Sequence, residues 1–345
     1  MPDKLNFTRT NGPVDELIDQ LIGFAGGVHR QEIIREMIIT ALKAGQEDND
    51  KADLKLINST LKEMRFTSKV FGPYRDIKKV TVFGSARSKP DELIYRMARD
   101  LGKKLADAGY MVITGGGPGI MQAANEGAGP DRSFGVNIRL PFEQKANPVL
   151  KGNPRNINYK YFFNRKVAFL KESDAVILFP GGFGTMDEAF ETLTLIQTGK
   201  RNPMPLILLE QPGGTYWNGW THFLEKGLFG RGLIGEADFH LFQILDAADD
   251  AVMMIDLFYK RYHSLRYVGD QLVIRLKTPL SAGSVEKIKA RFSDILKPDG
   301  DLRLTEALDE ERDEPEVANL PRLVVDFNRR DFGRLKSLID AVNNG

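Results

Sequence analysis

The segment Pro180-Gly181-Gly182-Phe183-Gly184-Thr185-Met186-Asp187-Glu188 decides how this chain folds. Ahead of it, Asp174-Ala175-Val176-Ile177-Leu178-Phe179 is a continuous apolar run of the kind that forms a parallel strand buried on both faces. Behind it, Ala189-Phe190-Glu191-Thr192-Leu193-Thr194-Leu195-Ile196 reads as a helix. The unit is therefore strand, glycine-rich turn, helix. Gly181, Gly182 and Gly184 let the backbone bend tightly and bring its N–H groups close to a ligand. Thr185 falls where an N-cap or first-turn hydroxyl belongs. A helix start offers unpaired N–H groups and the positive end of a dipole, which suits a phosphate. Glu188, one turn in, sets a carboxylate beside that anion site, where it is better matched to a sugar hydroxyl or a water than to phosphate. A tight turn with a solvated first-turn acid would use the same residues, so this segment does not settle its own meaning.

A second glycine cluster does more. Tyr110-Met111-Val112-Ile113-Thr114 reads as another strand and runs into Gly115-Gly116-Gly117-Pro118-Gly119-Ile120-Met121, then a helix at Gln122-Ala123-Ala124-Asn125-Glu126. Two such units in one sheet place two phosphate-friendly helix starts at the carboxyl edge, where open α/β sheets bind ligands. Around them residues 76–262 alternate strand and helix, which argues a parallel sheet. Strands are predicted at 79–83, 111–114, 134–138, 175–179 and 205–209, with a helix at 91–108. Gln211-Pro212-Gly213-Gly214 reads as an ordinary turn, and Trp217 and Trp220 follow on an amphipathic helix.

The flanks differ from this pattern. Residues 1–75 carry helical periodicity, with Ile33, Ile34, Met37, Ile38, Ala41 and Leu42 on one face and Leu54, Ile57, Leu61 and Met64 on another. Residues 46–50 form the connector, and the stripes suit packing on a neighbouring domain or a second subunit better than a ligand. Residues 263–345 read as a small α+β unit: strands at 272–276, 302–305 and 323–327, helices at 284–296 and 331–342. Strand–helix–strand–strand–helix is consistent with part of a ferredoxin-like fold. The acidic run at 309–314 reads as a solvated, mobile loop. The fold class is thus α/β, a parallel sheet with helices on both faces, plus an N-terminal helical segment and this C-terminal unit.

The two glycine motifs, 115–121 and 180–188, together resemble the LOG (Lonely Guy) family, whose members are Rossmann-like and often mislabelled lysine decarboxylases. Val82-Phe83-Gly84-Ser85-Ala86-Arg87 and Asn164-Arg165-Lys166 match in order, as does the helix carrying Glu188 and Glu191. The resemblance covers about residues 78–260 and is more specific to the superfamily than to one activity, since molybdenum-cofactor carriers share the sheet and similar loops. It implies a phosphoribohydrolase, which cuts the N-glycosidic bond of a nucleoside 5′-monophosphate to free base and ribose 5-phosphate, and it implies homodimers or higher assemblies. Arg165 matches the family's catalytic arginine.

That reaction builds oxocarbenium character on the ribose, and a purine leaves with negative charge unless protonated. It needs a carboxylate near the sugar and help for the water or the leaving base. It also needs an anchored 5′-phosphate, so that remote binding energy orients the sugar. Gly181, Gly182, Gly184 and Thr185 are expected to hold the phosphate. Glu188 is expected to hold ribose hydroxyls and stabilise the cation, or to activate water, and Arg165 to contact substrate or leaving group across the cleft. Lys166 is expected on the same positive wall. Gly84 and Ser85 follow the first strand, where nucleotide contacts are common, and Gly116, Gly117 and Met121 are placed on the ribose or base side. Glu191 shares the face of Glu188; it divides acid and base roles with it or pairs with Arg165.

Composition narrows the rest. The 345 residues carry a net charge of +1, so no global field favours nucleic acid or an anionic membrane. The chain has no cysteine, which removes disulfides and thiolate chemistry. The four histidines, His29, His222, His240 and His263, show no metal spacing, so no metal is expected. The first strand's turn lacks Gly-x-Gly-x-x-Gly and no P-loop is present, so no NAD, P-loop NTP chemistry or other cofactor is expected. The start shows no signal pattern and no apolar run is long enough to span a membrane, so a cytoplasmic location is expected. The basic stretch Lys62, Arg65, Lys69, Arg75, Lys78 and Lys79 has only Phe66, Phe71 and Tyr74 as aromatics, so nucleic acid is not expected as a partner. Two readings stand: an N-glycosidic hydrolase of purine nucleoside 5′-monophosphates, with AMP or a modified AMP leading, or a nucleotide or molybdenum-cofactor carrier or sensor using the same loops without turnover.

Overall fold

The computed structural model describes residues 5–48, 50–140, 146–311 and 314–345. Of the segments read above, residues 1–4 of the start, Asn49 of the connector, and Arg312 and Asp313 of the acidic run lie outside the described residues. The chain divides into two units, Met1–Phe66 and Thr67–Gly345.

The first unit is helical: α1 Pro13–Ala25, α2 Gln31–Glu47 and most of α3 Lys51–Phe71. Its own core is small, with Leu5, Ile18, Ile22 and Ile39 buried and Ile34 and Ile38 packed on them. Arg35 is buried in it, bonded to Asp15 and, through Nη1, to Phe7 O at 2.9 Å. Ile33, Met37 and Leu42 of the predicted apolar face are exposed.

The second unit opens with a seven-stranded parallel sheet: β1 Lys79–Phe83, β2 Met111–Thr114, β3 Ser133–Ile138, β4 Asn156–Tyr159, β5 Ala175–Leu178, β6 Leu206–Leu209 and β7 Gln243–Leu245, in the order β4-β3-β2-β1-β5-β6-β7. The connecting helices are α4 Leu93–Asp107, α5 Ile120–Ala128, α6 Phe162–Glu172, α7 Phe183–Gln197, α8 Tyr216–Phe223 and α9 Ala248–Phe258. This is a Rossmann-like sheet. β1, β2, β5 and β6 are buried at every position, as strands covered by helices on both faces must be. The edge strands β4 and β7 are absent from the predicted set; they are short, and Asn156, Asn158 and Gln243 break their apolar character. The chain runs outward from β1 to β4, then returns to β5 on the other side of β1. This reversal opens a crevice between the carboxyl ends of β1 and β5, the place where sheets of this kind bind ligands.

The remainder forms a four-stranded antiparallel sheet, β8 Tyr262–Val268, β9 Gln271–Leu276, β10 Leu302–Thr305 and β11 Arg322–Val325, with α10 Ala282–Arg291 and α11 Phe332–Asn344. The order β10-β11-β9-β8 sets β11 between β9 and β10, the split strand–helix–strand arrangement of ferredoxin-like folds. β8, the hairpin partner preceding β9, fills the slot beside it. Leu272, Ile274 and Leu276 of β9 belong to the same core cluster as Val80 and Ile177 of the parallel sheet, so one apolar core runs between the two sheets.

Within the acidic run Asp309 and Glu310 are exposed, but Glu311 is not solvated. Glu311 is buried, its carboxylate accepting from Arg275 Nε at 2.9 Å and Nη2 at 2.6 Å and from Arg322 Nε at 3.0 Å. Arg322 and Arg275 face each other across the β11–β9 ladder. Two like charges in register are unfavourable; Glu311 bridges both, and Glu314 supplies a second carboxylate to Arg275. The reading from charge density alone missed this because the two arginines lie on separate strands, 36 and 11 residues away from Glu311.

Candidate functional site

Three turns at the carboxyl edge are tied together by backbone. Phe179 N–H donates to Phe83 O at 2.8 Å, Ser85 N–H donates to Pro180 O at 3.0 Å, and Ile120 N–H donates to Ser85 O at 3.0 Å. The turn after β1 thus carries hydrogen bonds to the glycine turns after β5 and β2. Close approach demands the glycines. Gly119 has φ +68°, and a Cβ there would lie 2.2 Å from Ser85 O. A Cβ on Gly181 would lie 2.1 Å from Thr185 Oγ1.

α7 begins with Gly182 as its N-cap, so Phe183 and Gly184 present their N–H groups at the helix start. Thr185 lies in the first turn and is buried, its N–H donating to Gly182 O at 3.0 Å. A cavity of about 810 Å³ opens at this helix start, in the size range of a nucleotide-sized ligand site. Of the predicted residues, Gly84, Ser85, Met121, Arg165, Gly181, Gly182, Gly184 and Thr185 line it. Sequence reasoning missed Tyr216, whose phenol also lines the cavity and donates to Gly181 O at 2.5 Å. It follows the loop at 211–214 that read as an ordinary turn, and only the packing of α8 on the α7 turn reveals it. Phe83 and Phe183 line the cavity too, and Phe183 is 95% exposed.

Gly116 and Gly117 sit behind this wall. Gly116 N–H donates to Thr114 Oγ1 at 3.0 Å, and its carbonyl accepts from Asn147 N–H at 2.9 Å. Asn147 Nδ2 reaches Gly117 O at 3.3 Å and Asn125 Oδ1 at 3.0 Å. These glycines shape the β2–α5 turn, while Met121 at its far end reaches the cavity.

The charged residues separate into two groups. Lys166 Nζ lies 2.7 Å from Asp187 Oδ2 and 2.6 Å from Glu191 Oε2, so Glu191 pairs with Lys166 and not with Arg165. Burial is the largest influence on Lys166, but hydrogen bonds to Asp187 and Glu191 outweigh it and hold the ammonium above its ordinary range. Arg165 is turned inward. Its Nε is buried without a hydrogen-bond partner, its guanidinium carbon lies 5.3 Å from the Phe169 ring centre, and Nη2 is 4.0 Å from where a Cβ on Gly115 would sit. Glu188 is 3% exposed, and burial pushes its carboxyl up to about 7 against the pull of Lys166 and Arg165. Burial likewise lowers Arg165, opposed by Glu188 and Asp187. Among the described residues Arg165 and Glu188 have no ion pair within 4 Å, to each other or to a third group. Arg165 thus puts a desolvated guanidinium on the cavity wall, while Glu188, a desolvated carboxyl that changes protonation near neutrality, is not among the residues that line the cavity.

No three metal-ligating side chains come together among the described residues, and no described helix is long and apolar enough to cross a membrane. Phe71 and Tyr74 pack on Phe134, at ring distances of 4.3 Å and 5.3 Å. Lys79 is buried and bonded to the carbonyls of Tyr74 and Ile77. This part of the basic stretch is thus committed to packing.

A parallel sheet with a crevice at its carboxyl edge and a glycine-rich helix start defines a Rossmann-like protein. Residues 112–255 match a family described as "Possible lysine decarboxylase". The cytokinin riboside 5′-monophosphate phosphoribohydrolase LOG3 of Arabidopsis thaliana is 31% identical over 157 residues, covering 44% of this chain and 69% of that protein. A probable cytokinin riboside 5′-monophosphate phosphoribohydrolase, LOG4 of Oryza sativa subsp. japonica, is 28% identical over 184 residues, 52% of this chain and 75% of its own. The chain belongs to the LOG family. Among solved structures, the molybdenum cofactor carrier protein of Chlamydomonas reinhardtii covers 52% of this chain and 96% of its own, at 21% identity and a TM-score of 0.37.

Proposed function

We propose that this chain is a phosphoribohydrolase that cleaves the N-glycosidic bond of a purine nucleoside 5′-monophosphate, with AMP or a modified AMP as substrate. The observation that carries this reading is the pairing of a phosphate-ready helix start with half-buried Arg165 and buried Glu188, neither ion-paired among the described residues. A binding protein needs the helix start; it has no need to hold two desolvated charges apart at a cost. The 5′-phosphate would lie against the N–H groups of α7 and Thr185, anchoring the ribose over Glu188. As the bond between C1′ and the base nitrogen breaks, its electron pair goes to the base and positive charge develops on the ribose ring. Glu188, ionised, stabilises that charge and takes a proton from the attacking water; protonated, it is a proton source for the leaving base. Arg165 offsets negative charge on the departing base or the phosphate. Water supplies OH to C1′ and a proton to the base, giving ribose 5-phosphate and free base.

The family resemblance, the closed turn network and the relatives' printed activity support the same reading. We further propose a homodimer and a cytoplasmic location. Phe183 on α7 and Phe163 and Val167 on α6 are exposed apolar side chains of the kind a second copy would cover.

The test is chromatography of released base from a panel of nucleoside 5′-monophosphates, with Arg165→Ala and Glu188→Ala alongside. Base and ribose 5-phosphate from the wild type, lost in both variants, are the expected result. Binding by calorimetry with no release from any nucleotide would make this a carrier or sensor.

A further inference from the structure

We propose that the groove between α10 and α11 binds a phosphorylated small molecule. The groove has a volume of about 770 Å³, comparable to the cavity on the parallel sheet, and shares no lining residue with it. α10 contributes Ser284, Lys287 and Arg291 at spacings of three and four, which place them on one helix face. α11 contributes Arg334, Ser337 and Asn344 across from them.

The charge pattern singles this groove out. Elsewhere on α10, Lys289 is matched, its Nζ lying 2.5 Å from Asp301 Oδ1. Lys287 and Arg291, one turn apart and facing the groove, have no carboxylate within 4 Å among the described residues. Like charges at that spacing on a helix repel, so an unmatched pair is a cost until an anion fills the groove. Arg334 is held in place by Asp294, which accepts from Nε and Nη2 at 2.8 Å, and its Nη2 also donates to Arg291 O at 3.0 Å. Arg334 and Arg291 both lie against the ring of Phe292, at 4.7 Å and 5.3 Å from its centre. The one carboxylate lining the groove, Asp340, is bound by Lys336 at 2.8 Å. Two free cations, a fixed third, two hydroxyls and an amide form a donor-rich concave surface that suits phosphate oxygens.

The test uses the full chain with inorganic pyrophosphate as probe, read by hydrogen exchange and calorimetry. In the wild type, pyrophosphate is expected to protect residues 284–291 and 334–344. Lys287→Glu with Arg291→Glu should abolish that protection and weaken the corresponding binding by roughly tenfold for each charge-assisted bond lost. Both side chains are exposed, so the fold should hold; Lys287→Gln with Arg291→Gln supplies the milder version if it does not. Protection in the wild type confined to 180–188, or groove protection that survives both double variants, would overturn the proposal. Base release and protection at 180–188 are read separately, so failure of the hydrolase reading leaves this one standing, and the reverse.

Discussion

Glu188 on α7 and Glu311 ahead of β11 are each 3% exposed, yet the molecule treats them in opposite ways. Glu311 accepts hydrogen bonds from two buried arginines. Burial is the largest influence on its carboxyl, but those bonds outweigh it and hold the group below the ordinary carboxylate range. Glu188 has nearby positive charge but no hydrogen-bonded partner, and burial wins. A satisfied buried carboxylate fixes structure; an unsatisfied one keeps its proton up to near neutrality. The difference is not one of depth. It lies in whether the surrounding donors are spent on the carboxylate or left for a ligand.

The largest expected effect breaks the Glu188 side of this comparison. Glu188→Gln or Arg165→Ala should lower base release by roughly 10²–10⁴-fold, the range for loss of a positioned acid–base or charge-stabilising group. Retention of most activity in either variant would remove that residue from the mechanism. Glu311→Ala tests the other side. It leaves Arg322 buried without its carboxylate partner and Arg275 with Glu314 alone, and should cost about 3–5 kcal/mol in denaturant unfolding, with little effect on base release beyond lost folded protein.

A finer test concerns pH and stability. Glu188 has a folded value of about 7, raised above its ordinary 4.5. Between those values the folded protein holds a proton that the unfolded chain has released, so stability falls as pH rises through this window and stays lower above it. Glu188→Gln should therefore stabilise the protein at pH 8, by on the order of 1–3 kcal/mol, and change little at pH 4. Glu311 has the reverse sign: its contribution is present above the ordinary carboxyl value and is lost as pH falls through the depressed one. Equal effects of Glu188→Gln at both pH values would show that the carboxyl does not titrate as its burial requires.

The smallest effect lies in Lys166. Its charge pulls Glu188 downward, so Lys166→Met should move the limb of the pH–rate profile that reports Glu188 upward, by about one unit or less. An unmoved limb would mean that Asp187 and Glu191 already cancel the ammonium at Glu188.

The sequence by itself determined the parallel sheet and its glycine turns. Five strands were legible because strands covered on both faces are largely apolar, and the two glycine clusters because tight turns there leave no room for a Cβ at Gly119 and Gly181. Residues of the cavity were legible through the same turns, since the glycines and Thr185 that shape the start of α7 also line the cavity. Tertiary structure alone decided the rest. β4 and β7 needed pairing to become strands, because edge positions carry polar residues that alternate too briefly to read. Tyr216 joined the site only through the packing of α8 on the turn at Gly181. Glu191 went to Lys166, and Glu311 to two arginines on other strands, because charge partners are chosen by distance in space. A local pattern records what the backbone must do; which donor meets which carboxylate, and which carboxylate is left unmet, is settled by elements far apart in the chain.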